Sequence, residues 1–93
     1  MLHVSKVLKN HTYRTLRPKT TNINTRREYV DDRIVVSIND GIVTYDSPDL
    51  QLKQKDPETC TIEDFCNWAC LDITNNLPNM DWQDISKDTY ETK

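Results

Sequence analysis

A small α+β fold is what this sequence predicts: an antiparallel sheet of three to five strands with one main helix packed on one face. Three observations predict it. Residues 33–46, RIVVSINDGIVTYD, read as a β-hairpin, with Asp-Gly between two β-branched runs. Residues 61–76, TIEDFCNWACLDITNN, carry the longest helical period, with Ile62, Phe65, Cys66, Ala69 and Ile73 on one stripe. Finally, 93 residues allow one domain, 1–93, whose core is small because a chain of this size buries only about 60–65% of its unfolded surface.

In chain order, residues 2–9 fit either a strand (Leu2, Val4, Leu8) or a helical face (Val4, Val7, Leu8), and the strand is preferred. Lys9-Asn10 makes a turn into a second strand, HTYRTLR, over residues 11–17. Residues 18–25, PKTTNINT, have the composition of a loop. In the central hairpin a two-residue turn pairs Asn39 with Ile42, Ile38 with Val43 and Val36 with Tyr45. That places Val36, Ile38, Val43 and Tyr45 on one face. Ser47-Pro48 breaks the ladder, and Leu50 and Leu52 alternate in a short edge strand, DLQLKQ, with Lys53 and Lys55 discouraging further pairing.

Asp56-Pro57 turns the chain into the main helix. Thr61 caps its amino end, with Asp64 in place of the usual Glu or Gln of a capping box, and Glu63 and Asp64 complement the helix dipole. Leu77-Pro78 ends it. The acidic tail, 79–93, holds one or two helical turns that bring Trp82 near Ile85.

Composition excludes several functions. The single glycine, Gly41, rules out phosphate-cradling and dinucleotide loops, which need several glycines together. The longest aliphatic run, Ile34-Val35-Val36, is far short of a bilayer span, and the start, MLHVSKVLKN, has no signal-peptide core. A soluble cytoplasmic protein is expected, in the host cytoplasm if the source is viral. Cys60, Cys66 and Cys70 are odd in number, which favours reduced thiols. Together with His3 or His11 they could form a Cys₃His zinc site. Their C-x₅-C-x₃-C spacing is not a usual ligand pattern, so apolar core packing is the expectation and neither metal nor cofactor is assigned.

Catalysis has little to stand on. No serine lies in a strand-turn-helix elbow, and a Cys–His pair would need His11 to meet Cys60 in space. No enzyme activity and no small-molecule substrate are predicted.

The net charge of −3 hides a split. Residues 1–27 contain seven bases (Lys6, Lys9, Arg14, Arg17, Lys19, Arg26, Arg27) and no acid. Residues 37–93 contain twelve acids against four bases. Carboxylates on a small rigid surface can imitate nucleic-acid phosphates and steer association with proteins built to hold them. Trp68, off the helix stripe between Asp64 and Asp72, is a candidate anchor, since tryptophan is enriched at interface hot spots.

The predicted function is therefore a small non-enzymatic protein-binding module, an acidic inhibitor that occludes a host nucleic-acid-processing enzyme. Anti-CRISPR and anti-restriction proteins of phages and mobile elements form such a class, and the analogy rests on size and charge. The predicted partner-binding residues are Glu63, Asp64, Trp68, Asp72, Asp81 and Asp84. The alternative is a nucleic-acid-binding accessory protein using Arg14, Arg17, Arg26 and Arg27.

Overall fold

Burial of one aromatic cluster organises the chain. In a computed structural model, which describes residues 2–24, 27–77 and Trp82, the elements run β1 (Thr12–Thr15), β2 (Thr20–Asn24), β3 (Arg27–Val30), β4 (Arg33–Asn39), β5 (Ile42–Asp46), α1 (Pro48–Leu52), β6 (Glu58–Thr61), α2 (Ile62–Trp68) and β7 (Ala69–Asp72). Five strands make an antiparallel sheet in the order β6-β5-β4-β1-β7, and β2 pairs with β3 in a separate two-stranded sheet. The α+β class holds, with α2 as the main helix.

The hairpin forms where expected. Asp40 and Gly41 both have positive φ, 51° and 75°, as a type I′ turn requires. Asn39 faces Ile42 and Ile38 faces Val43. The pairing then slips by one residue between Val35 and Ser37, so Val35, not Val36, lies opposite Tyr45. This bulge reverses the faces upstream of it. Val35 is buried in the core, whereas Val36, expected inside, is 40% exposed. The reason is visible on the other side of β4, where Val35 is also bonded to the β1 side through the Asn10 amide and the His11 carbonyl.

A Cβ at Gly41 would meet nothing within 4 Å, so Gly41→Val is a test of backbone conformation alone. The variant is expected to lose about 1–2 kcal/mol, the usual cost of left-handed backbone for an L residue. Thermal unfolding should show a drop of roughly 4–8 °C per kcal/mol, and an unchanged melting temperature would contradict the type I′ assignment.

Four expected elements are corrected. The main helix ends at Trp68 instead of running to Asn76. Residues 69–72 become β7, and Thr74–Asn76 form a single 3₁₀ turn. Four of the five stripe residues, Phe65, Cys66, Ala69 and Ile73, are buried and Ile62 is partly buried, but Ala69 arrives on β7 and Ile73 just after it. Cys70, Asp72, Ile73, Thr74, Asn75 and Asn76 are mediocre helix formers, and β1 would otherwise present an unpaired edge. Pairing β7 on β1 satisfies those backbone groups.

Residues 49–54 were expected as a strand, but Pro48–Leu52 form α1. Ser47 caps it by accepting the Leu50 amide on Oγ at 3.2 Å, Pro48 occupies the first turn, and Asp49 sits there too. The short edge strand is instead β6, so Asp56-Pro57 leads into a strand before the helix. Residues 20–24, expected as a loop, are β2. They find their partner in Arg27–Val30, a segment too short and polar to announce itself. Residues 2–9 hold a 3₁₀ turn, Val4–Lys6, where a strand was preferred; the His3 ring accepts the Ser5 amide there, and Val7 turns into the core.

The core is one cluster of Val7, Tyr13, Val35, Val43, Tyr45, Leu50, Phe65, Cys66 and Ala69. Phe65 is its centre, with ring centroids 5.5 Å from Tyr13, 6.1 Å from Tyr45 and 5.6 Å from Trp68. Tyr13 is fully buried, and its hydroxyl donates to the Lys6 carbonyl at 2.6 Å and accepts the Leu8 amide at 2.8 Å. These two bonds let a phenol sit inside a small core without an unsatisfied group.

Candidate protein-interaction surface

Charge in the fold is divided between groups locked into the structure and groups left on its surface. Arg14 projects from β1, and its Nε and Nη2 donate to Oδ1 and Oδ2 of Asp32 at 2.8 and 2.9 Å. The Asp32 side chain is fully buried and that of Arg14 only 22% exposed. The guanidinium of Arg33 lies over two rings, 4.5 Å from the Tyr45 centroid and 4.2 Å from that of Trp68. His11 Nδ1 meets Asp72 Oδ2 at 2.6 Å across the β1–β7 pair. Partial burial alone would raise the Asp72 carboxyl, but hydrogen bonds from Thr74 and His11 outweigh it and hold the group below its usual range.

These contacts sort the predicted site residues. Glu63 and Asp64 are exposed in the first turn of α2, where the Thr61 hydroxyl accepts the Asp64 amide at 3.1 Å. The Ile62 amide donates to the Gly41 carbonyl at 2.8 Å, which sets this turn beside the exposed Asp40 of the hairpin. Trp68 is half-buried, with Phe65 and Arg33 against its ring. Asp64 and Trp68 share a face of α2 at i, i+4. Asp72 does not join them, because it lies on β7 and is held by His11 and Thr74. Asp81 and Asp84, like the expected Trp82–Ile85 turn, fall outside the described residues; Trp82 itself donates its indole N–H to Gln51 on α1 at 3.0 Å.

Of the alternative basic set, Arg14 is committed to Asp32, and Arg17 is exposed in the link between β1 and β2. Arg27 lies on β3, and Arg26 is outside the described residues.

Sequence reasoning passed over the strand β6 and, beside the predicted Glu63 and Asp64, the carboxylates Asp56 and Glu58. Asp56, Glu58, Glu63 and Asp64 are all exposed within residues 56–64, and that run contains no base. The Tyr45 hydroxyl donates to Glu58 Oε1 at 3.1 Å, giving one of these carboxylates a fixed position. Alternation in Glu58-Thr59-Cys60-Thr61 was the available signal, and the proline before it obscured it.

The three cysteines are free thiols. Burial pushes the Cys60 and Cys66 thiols up, away from the nucleophilic form. No group of three or more His, Cys, Asp or Glu side chains among the described residues is placed to hold a metal ion. His11 pairs with Asp72 near the β7 edge, while Cys60 lies on β6 at the opposite edge of the sheet, so the Cys–His pairing is not formed. No helix among the described residues is long and apolar enough to cross a membrane.

The fold and surface define a small α+β protein with an acidic edge. No family model, curated protein or solved structure matches this chain.

Proposed function

We propose that the protein is a small non-enzymatic protein-binding module, an acidic inhibitor that occludes a nucleic-acid-processing enzyme in the cytoplasm of its host. One observation carries the reading: exposed carboxylates gather around β6 and the start of α2, and the stretch 56–64 that holds most of them contains no base. Arg14 and Arg33 are drawn into a buried ion pair and an aromatic sandwich. Asp40, Asp56, Glu58, Glu63 and Asp64 stay exposed around β6 and the start of α2. A surface of that sign attracts a basic partner surface, and enzymes that grip nucleic acid present one. The analogy with anti-CRISPR and anti-restriction inhibitors supports the reading through size and charge alone.

The test removes charge without touching the core. Glu63→Gln with Asp64→Asn should change stability by no more than about 0.5 kcal/mol per site, and Asp72 is left intact because it anchors His11. The protein and this variant are immobilised and exposed to host lysate, and retained proteins are identified by mass spectrometry. Recovery of a nucleic-acid-processing enzyme, at least tenfold reduced for the variant, is the expected result. Association should slow with added salt, as charges are screened over about 8 Å at physiological ionic strength. A gel shift supplies the opposing outcome. Retardation of DNA or RNA by the wild type, lost in an Arg17, Arg26 and Arg27 to Gln variant, would replace this reading with nucleic-acid binding.

A further inference from the structure

We propose that the outer edge of β6, with which no strand among the described residues pairs, accepts an extended, lysine- or arginine-bearing segment of the partner by strand addition. This rests on the reading above and names the part of the partner that the acidic surface meets. β6 is the outermost strand on its side of the sheet, and its register with β5 runs unbroken from Tyr45↔Glu58 to Ile42↔Thr61. The Ile62–Gly41 hydrogen bond continues that register. In an antiparallel ladder bonded and non-bonded pairs alternate. Cys60 and Glu58 are therefore the residues bonded to β5, and Thr59 turns its N–H and C=O away from the sheet. The N–H of Thr61 points the same way. Glu58, Thr59 and Thr61 are exposed.

Natural edges are commonly guarded by lysines, bulges or prolines within the strand. β6 has none of these between Glu58 and Thr61; Lys55 and Pro57 precede it. The opposite edge differs. Pairing of β7 with β1 is irregular between Arg14 and Thr15, and Asp72 is tied to His11 there.

Charge decides the occupant. Asp56, Glu58, Glu63 and Asp64 flank the edge with no base among them. A second copy pairing through β6 would bring two such runs together, so like charges oppose self-association. A basic strand is the complement. Its residue bonded to Thr59 would point to the same face as Thr59, and the neighbours on either side to the face of Glu58 and Cys60. Bases therefore belong at alternate positions, next to the carboxylate that Tyr45 holds.

A seven-residue peptide of alternating valine and lysine is the probe, with glutamate replacing lysine as control. Titration into isotopically labelled protein should shift the amide signals of Thr59 and Thr61 saturably, and the glutamate peptide should leave them unmoved. Thr59→Pro removes an outward N–H while leaving the β5 ladder intact, and should weaken binding at least tenfold. N-methylation of alternate peptide amides tests the same bonds on the wild-type protein and should also abolish binding. Binding that survives N-methylation, equal binding of the glutamate peptide, or concentration-dependent self-association through Thr59 would each overturn the proposal. A host partner lost on Glu63 and Asp64 neutralisation but held unchanged by folded Thr59→Pro protein would overturn the edge while leaving the acidic-inhibitor reading standing. Peptide capture at Thr59 without any host partner would support the edge and defeat that reading instead.

Discussion

Replacing Arg14 with leucine is expected to destabilise the protein by about 3–5 kcal/mol, because the change strands the buried Asp32 carboxylate without its partner. Both carboxylate oxygens of Asp32 accept from the guanidinium, and the Asp32 side chain has no contact with solvent. The loss would be a large part of a typical domain's stability. Chemical denaturation of the single variants and of Arg14→Leu with Asp32→Leu measures it. The double variant should recover much of the loss, since removing both charges also removes the desolvation penalty. A drop below about 1 kcal/mol for Arg14→Leu would mean that the pair is weakly coupled, as exposed pairs are. The result bears on function as well. If Arg14 variants unfold, loss of nucleic-acid binding in them says nothing about a binding surface, which is why the opposing gel-shift test uses Arg17, Arg26 and Arg27.

Phe65→Ala is expected to cost about 3–5 kcal/mol, the range for deleting a buried aromatic ring. Phe65 is fully buried and contacts the rings of Tyr13, Tyr45 and Trp68, which arrive from β1, β5 and the end of α2. Its removal therefore loosens the helix from the sheet at one point. With a urea dependence of roughly 1–3 kcal/mol per molar, the unfolding midpoint should fall by about 1–5 M. Trp68→Ala should cost less, because Trp68 is only partly buried and one face of its ring is covered by Arg33 at the rim. Equal losses at the two positions would show that Trp68 is as deep in the core as Phe65, and would remove it as an interface anchor.

The candidate surface was legible in part. Glu63 and Asp64 stand where a helix beginning at Thr61 puts them, because a cap and its first turn depend on neighbouring residues only. Trp68 remains on their helix. Asp72 was misplaced because its position assumed a helix through Asn76, and the loss of that helix moved it beside His11. Nothing local to Arg14 or Asp32 predicts their pairing, which spans 18 residues.

By itself the sequence determined the features whose causes are local. The Asp40-Gly41 turn follows from two residues that tolerate positive φ, and the start of α2 from the Thr61 hydroxyl and the acids behind it. It also determined which apolar residues go inside α2 and beyond it: Phe65, Cys66, Ala69 and Ile73 are buried. Only the tertiary structure decided how they get there. Residues 69–72 are compatible with helix or strand, and the open edge of β1 selected strand by satisfying backbone groups that a longer helix would have left unpaired. The same holds at Val35 and Val36. Alternation marks both as able to face the core, and the bulge that turns Val35 inward arises where β4 must keep register with β5 on one side and with the β1 chain on the other. Local chemistry offers each segment a short menu of conformations, and long-range backbone pairing makes the choice because an unpaired N–H or C=O costs more than a modest helix propensity returns.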